Sequence, residues 1–167
     1  GSPDDILALV IEASAKLAEV KLNVVVQKGL NDDELFSFLA LSKRIGVEVR
    51  FIELMDTGSA PAHVQRTFLS GRDIIARIQA ERPVSAIARR HASDPASLYR
   101  CDDDGTVFGL IASDTQPFCE QCDRLRLTAD GRLRGCLYEP GGTPLGAALR
   151  EGNDDERLLA LVDAGLD

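Results

Sequence analysis

Histidine is scarce in this sequence and long apolar runs are missing, and each shortage removes a class of function. His63 and His91 are the only histidines in 167 residues, too few for a histidine-rich catalytic centre. No stretch of about 18 apolar residues occurs, so no helix is expected to span a membrane. A charged start followed by an apolar middle and a small-residue cleavage site is also missing, which argues against a secretory signal. Positive charge is in deficit: 19 Lys and Arg against 27 Asp and Glu give a net charge of −8. That balance speaks against a general nucleic-acid or anionic-membrane surface. An anionic ligand would have to be held by a local basic cluster working against the global field. Internal repeats and low-complexity tracts are absent as well. What remains is a chain expected in the cytoplasm, 44% hydrophobic, able to bury one ordinary core or two small ones.

The apolar spacing predicts a helix over 4–18, with Ile6, Leu9, Val10, Ala13 and Leu17 on one stripe behind an acidic start. The run Val20 to Val26 is short, β-branched and nearly continuous in its apolar part, which suits a buried strand. Lys21 and Asn23 interrupt it, and burying them without partners would cost on the order of several kcal/mol. Asp32 or Asp33 can cap a helix reaching about Ile45, with Leu35, Phe36, Leu39 and Leu41 inward. Val47 to Leu54 reads as a second strand. Such βα units imply a parallel sheet, and two parallel strands need further neighbours. Ser70 to Asp73 should cap a helix over 74–80, residues 81–105 read as irregular and polar, and 106–113 as an apolar strand. A helical tail follows the Pro140-Gly141-Gly142 turn. A boundary is expected near residues 80–95.

Cys119, Cys122 and Cys136 lie within an eighteen-residue window, beginning with a C-x-x-C pair, whereas Cys101 stands apart near a strand end. Outside a secreted context this pattern favours metal or redox chemistry over disulfides. Alternation on both sides of Ala129-Asp130-Gly131 predicts a β-hairpin. A three-residue loop with Gly131 left-handed pairs Leu127 with Leu133 and Arg126 with Arg134. One face then carries Leu125, Leu127 and Leu133 inward. The other carries Cys122, Arg124, Arg126, Arg132, Arg134 and Cys136, and like charges opposite one another call for an anion between them. Three thiolates on four irons would leave one iron open to a ligand. Structural zinc wants four ligands, and Cys101, His63 or His91 could supply the fourth, so spacing does not settle the metal.

The cysteine hairpin Phe118 to Leu137 and the strand Arg50-Phe51-Ile52-Glu53-Leu54-Met55 resemble the GTP 3′,8-cyclase family closely. Asp123 stands where that family has Asn. Lys21 to Val25 and Gly29 to Glu34 match too, and the likeness covers nearly the whole chain, most loosely from 60 to 105. The resemblance implies an α/β fold: the carboxy-terminal part of an incomplete (βα) barrel over 1–80, then a small α+β domain with a cysteine-bearing β-hairpin over 81–167. The implied reaction, in molybdenum cofactor biosynthesis, converts GTP to (8S)-3′,8-cyclo-7,8-dihydroguanosine 5′-triphosphate by S-adenosylmethionine radical chemistry. By motif, Cys119, Cys122 and Cys136 would ligate a 4Fe–4S cluster whose open iron takes the guanine. Arg124, Leu125 and Arg126 would lie on GTP, Leu125 through its backbone, with Lys21 reaching GTP from the barrel strand. Arg50 would be a phosphate partner at the catalytic centre, for which Glu53 is a structural alternative partner. Met55 and Asn23 would line the S-adenosylmethionine site. GTP and S-adenosylmethionine are the implied partners, nucleic acid and membrane are not, and homodimerisation is left open.

The family's radical-generating C-x-x-x-C-x-x-C motif, which holds the other 4Fe–4S cluster, does not occur here, nor does its basic tail ending in Gly-Gly. With no initiating methionine either, the sequence reads as a fragment expected to be inactive alone. The alternative is a non-catalytic metal-cluster module, or a zinc-bound β-ribbon used for protein contacts.

Overall fold

In the computed structural model, residues 2–56, 60–152 and 154–165 are described. The chain divides into two compact units, Gly1–Cys122 and Asp123–Asp167.

The first unit opens with α1 (Pro3–Lys16), whose Ser2 cap and Asp5 form a reciprocal capping box. Its apolar stripe is present but none of its residues is buried, and Ile6 and Leu9 stay more than half exposed. Of the stripe read from the sequence, Val10 and Ala13 are half-buried, whereas Ile6, Leu9 and Leu17 are exposed. Next come β1 (Lys21–Val26), α2 (Leu35–Ile45) and β2 (Glu48–Glu53). Glu34, with no side-chain hydrogen bond, caps α2. The expected caps do other work: Asp32 accepts from the Gly29 amide at 2.6 Å and pairs with Arg77. Gly46 ends α2 with φ +68°, the left-handed turn that glycine makes without steric cost.

α3 (Pro61–Thr67) and α4 (Gly71–Glu81) follow, and Ser70 caps α4 by accepting from the Asp73 amide at 3.1 Å, as its sequence predicts. The next segment corrects the reading of 81–105 as irregular. It forms β3 (Val84–Ile87) and β4 (Ser97–Cys101) ahead of β5 (Val107–Ile111). These short strands alternate polar and apolar residues and are flanked by Pro83 and Pro95, so pairing within the sheet, more than propensity, makes them strands. The sheet order is β1-β2-β5-β4-β3, parallel across β1, β2 and β5 and antiparallel from β5 to β3.

The main core cluster lies on one face of this sheet, with Ala96 and Leu98 buried on the other. Val24 and Val26, Val49 and Phe51, and Phe108 and Leu110 belong to the cluster with Leu35 and Leu39 of α2 and Ile74 and Ile78 of α4. Phe108 stacks on Tyr99 (centroids 5.6 Å apart) and meets Phe51 edge-on at 5.9 Å; such aromatic pairs contribute about 0.5–1.5 kcal/mol each beyond burial. β1 is consequently two-sided. Val24 and Val26 are buried while Lys21, Asn23 and Val25 are exposed, so the strand is not buried throughout, and its polar residues carry no burial penalty.

The second unit holds β6 (Arg126–Leu127), β7 (Leu133–Arg134), α5 (Leu145–Arg150) and α6 (Asp155–Ala164). β6 and β7 pair antiparallel with Arg126 opposite Arg134 and Leu127 opposite Leu133, the register that a three-residue loop dictates. Gly131 takes φ +83°, and its carbonyl accepts from the Gly146 amide at 2.7 Å. Leu133 is buried, but Leu125 and Leu127 are 48% and 69% exposed, so their expected inward packing is not observed. Two short strands and two short helices enclose too little space within this unit to cover them. Among the described residues, no helix is long and apolar enough to cross a membrane.

Candidate functional site

The residues singled out in the first unit fall on the face of the sheet opposite the core. Parallel register sets Lys21 beside Glu48 and Asn23 beside Arg50, so Lys21, Asn23 and Arg50 project to the same side. Met55, half-buried, follows the carboxyl end of β2, the end at which open α/β sheets place ligands. Lys21 pairs with Glu19 at 2.8 Å, and this bond is the first cause holding the Glu19 carboxyl below the usual carboxylate range. Arg50 is 8% exposed and donates from Nε to Glu48 Oε1 at 2.7 Å. Its partner is thus Glu48, two positions back on the same face, and not Glu53. Gly109 on β5 makes room for the Arg50 side chain, since a Cβ there would stand 2.9 Å from Arg50 Cγ.

Glu53 belongs to the same motif but serves the core side. It is fully buried, and its carboxylate gathers the amides of Gly71 (2.6 Å), Asp114 (3.0 Å) and Thr115 (3.1 Å), together with the Thr115 hydroxyl. One acid therefore joins the end of β2, the start of α4 and the loop leaving β5. That loop runs on to Cys119. Sequence reasoning did not single out this role; the available signal was an acidic residue inside an apolar strand, which requires donors wherever it is buried.

Cys119 and Cys122 lie on one turn. Residues Cys119–Gln121 form a 3₁₀ segment closed by the Cys122 amide on the Cys119 carbonyl at 3.1 Å, and both cysteines are exposed and outside any disulfide. A C-x-x-C turn of this kind, with a cysteine sulfur at each end, is a donor set that fits a soft metal or an iron–sulfur cluster. Beside it, Arg89, Pro117, Phe118, Cys119 and Glu120 line an open cleft of about 380 Å³.

In the second unit, Cys136 is also exposed and outside any disulfide, in the turn after β7. Arg124 and Arg126 are half-buried and Leu125 exposed. Arg132 Nη1 and Arg134 Nε donate to the Gly142 and Gly141 carbonyls at 3.1 and 3.0 Å, so the Pro-Gly-Gly turn occupies part of two guanidinium groups. Arg126 nevertheless stands directly across the ladder from Arg134, a like-charge pairing that is destabilising without an anion nearby.

A different cluster brings ligand atoms of Cys101, Asp103 and Asp104 within 4.8 Å of one another. Its charge is already met. Arg82 pairs with Asp103 at 2.5 Å and Asp104 at 2.7 Å, Lys43 lies 3.3 Å from Asp104, and burial pushes the Cys101 thiol up. Cys101 acts as a core residue at the end of β4. Of the two histidines named with Cys101 as possible fourth ligands, His63 meets Gln27 at 2.7 Å.

Residues 47–167 match the family model described as Molybdenum Cofactor Synthesis C. Similar curated relatives include GTP 3′,8-cyclase 3 of Mycobacterium bovis, 38% identical over 92% of this chain and 40% of its own length. GTP 3′,8-cyclase of Staphylococcus carnosus is 38% identical over 85% of this chain and 42% of its own length. The Acidothermus cellulolyticus enzyme of that name is 36% identical over 98% of this chain and 44% of its own length. The chain thus spans about two fifths of the relatives it matches. With most of its length inside the matched region, the chain belongs to the Molybdenum Cofactor Synthesis C family.

Proposed function

We propose that this chain is the substrate-binding portion of a GTP 3′,8-cyclase, in which residues 1–80 continue a partial barrel and 81–167 supply a cluster and bind GTP. Cys119, Cys122 and Cys136 are the three ligands that the motif implies. A 4Fe–4S cluster so held supplies, when bound, an iron with a free coordination position for the guanine. Arg124 and Arg126 meet GTP by side chain and Leu125 by backbone, while Lys21 and Arg50 offer positive charge to the phosphates. Met55 and Asn23 contribute to the S-adenosylmethionine site of the full-length enzyme. The relatives' names and the matched motifs support this reading. The observation that carries it is the pairing of Arg126 with Arg134 in β6 and β7, because two arginines directly across a ladder in a chain of net charge −8 favour an anion beside them.

In this reading the chain's own residues bind and orient; they do not generate a radical. The C-x-x-x-C-x-x-C motif is not in the sequence, so S-adenosylmethionine with a reductant is expected to yield no 5′-deoxyadenosine. Anaerobic loading with iron and sulfide should give a sulfide-containing cluster, lost on changing Cys119, Cys122 or Cys136 to Ser. Zinc without sulfide would instead support a structural metal ribbon. GTP should bind the loaded chain, and Arg124→Ala with Arg126→Ala should weaken it by at least tenfold, since each charged hydrogen bond is worth about 1.5–3 kcal/mol. Equal affinity in the variant and the parent would remove the nucleotide assignment.

A further inference from the structure

Five charged side chains at the non-core face of the sheet form an unbroken run of ion pairs, in the order Lys21, Glu19, Arg90, Glu48, Arg50. Lys21 lies 2.8 Å from Glu19 Oε2, and the other oxygen of Glu19 meets Arg90. Arg90 reaches Glu48 Oε2 at 2.8 Å, and the other oxygen of Glu48 takes Arg50 at 2.7 Å. The two ends of this run are the cations that the proposed function gives to the phosphates. Its middle, Arg90, comes from the loop after β3, and no motif identified it.

The arrangement divides each carboxylate between two cations. Without Arg90, Glu19 would face Lys21 alone and Glu48 would face Arg50 alone, each holding its partner more firmly. Three cations against two carboxylates leave one net positive charge on the run; removing Arg90 leaves none. Both changes act in the same direction on an incoming anion. Glu48 makes the effect local, because its side chain is only 8% exposed and solvent screens it poorly.

We infer that Arg90 is a positioning residue for phosphate recognition: it occupies the second oxygen of Glu19 and of Glu48, and so leaves Lys21 and Arg50 available to a polyphosphate. The inference rests on the reading that those two cations meet GTP, and it predicts effects of opposite sign at neighbouring positions. Arg90→Ala should weaken binding of both GTP and inorganic tripolyphosphate to the full chain by about tenfold, lowering the ratio of GTP to GMP affinity by the same factor. Arg90→Lys should restore part of the loss, since one ammonium can meet one carboxylate at a time. Glu19→Gln should strengthen tripolyphosphate binding, because it releases Lys21.

Calorimetric titration of parent and variants, with thermal midpoints measured alongside, decides the matter. If the parent binds neither GTP nor tripolyphosphate, the underlying assignment of Lys21 and Arg50 fails. If the parent binds both and Arg90→Ala binds equally well, or loses GMP affinity as much as GTP affinity, only the role of Arg90 is overturned. Should Arg90→Ala unfold, Glu19→Gln, which changes an exposed side chain, decides alone: tighter tripolyphosphate binding supports the role and unchanged or weaker binding refutes it.

Discussion

At the residue scale, the two members of the Arg50-to-Glu53 motif are separated by function because a strand turns successive side chains to opposite faces. Arg50 faces the side opposite the core and Glu53 the core side, where its carboxylate accepts from three backbone amides. Glu53→Gln keeps the shape but replaces one acceptor oxygen with a donor facing donors. A loss of about 2–4 kcal/mol is expected, read as a lower urea midpoint with an unchanged denaturant slope; an unmoved midpoint would show that the three amides find other partners. Gly131 offers a second test. At φ +83° an added Cβ would stand 2.8 Å from Gly146 Cα, so Gly131→Ala combines backbone strain with a backbone collision. It should cost the second unit about 1–3 kcal/mol, visible as faster amide exchange across β6, β7 and α5.

At the element scale, the turn between β4 and β5 and the loop after β1 are each pinned by an arginine. Arg82 holds the Asp103 carboxyl below its ordinary value of 3.8, and Arg77 does the same for Asp32. A carboxylate with a lowered folded-state pKa contributes stability that is complete above the unfolded value and lost as pH falls through the folded one. The thermal midpoint should therefore hold steady from neutrality down to about pH 4 and fall below it, and Arg82→Gln should flatten that fall. A midpoint that drops already between pH 7 and 5 would assign acid sensitivity elsewhere. Most elements were legible: α1, α2, α4, β1, β2 and β5 follow from spacing and caps, and the β6–β7 register follows from turn chemistry alone. β3 and β4 were not, because Val84-Ser85-Ala86-Ile87 and Ser97-Leu98-Tyr99-Arg100-Cys101 become strands only when β5 is there to pair with them. Of the candidate site, the opposition of Arg126 and Arg134 was legible, because turn chemistry sets the register. Glu48 and Arg90 were not, since ion-pair partners depend on which loops meet and the sequence holds 19 cations and 27 acids to choose from.

At the scale of the whole molecule, the two units differ in how much they bury. The first has a continuous core of thirteen buried residues, whereas the buried apolar residues described in the second are Leu133 and Ala148. Units of this size commonly need a metal, disulfide or partner to be firmly stable. In metal-free protein, limited proteolysis should cut the segment from Asp123 onward first and leave a fragment ending near Cys122, and loading with iron and sulfide should slow that cut. Equal protection of both parts before loading would contradict the difference in burial. The strand order carries a separate consequence for synthesis. β5 lies between β2 and β4 in space, yet it is the last strand of its sheet to leave the ribosome. At the usual ~5–20 residues per second, translation from β2 to β5 takes seconds, during which the open edge of β2 has no native neighbour. The nascent chain must hold that edge away from other polypeptides until the meander arrives, which makes the helices between them, α3 and α4, a temporary cover as well as a connection.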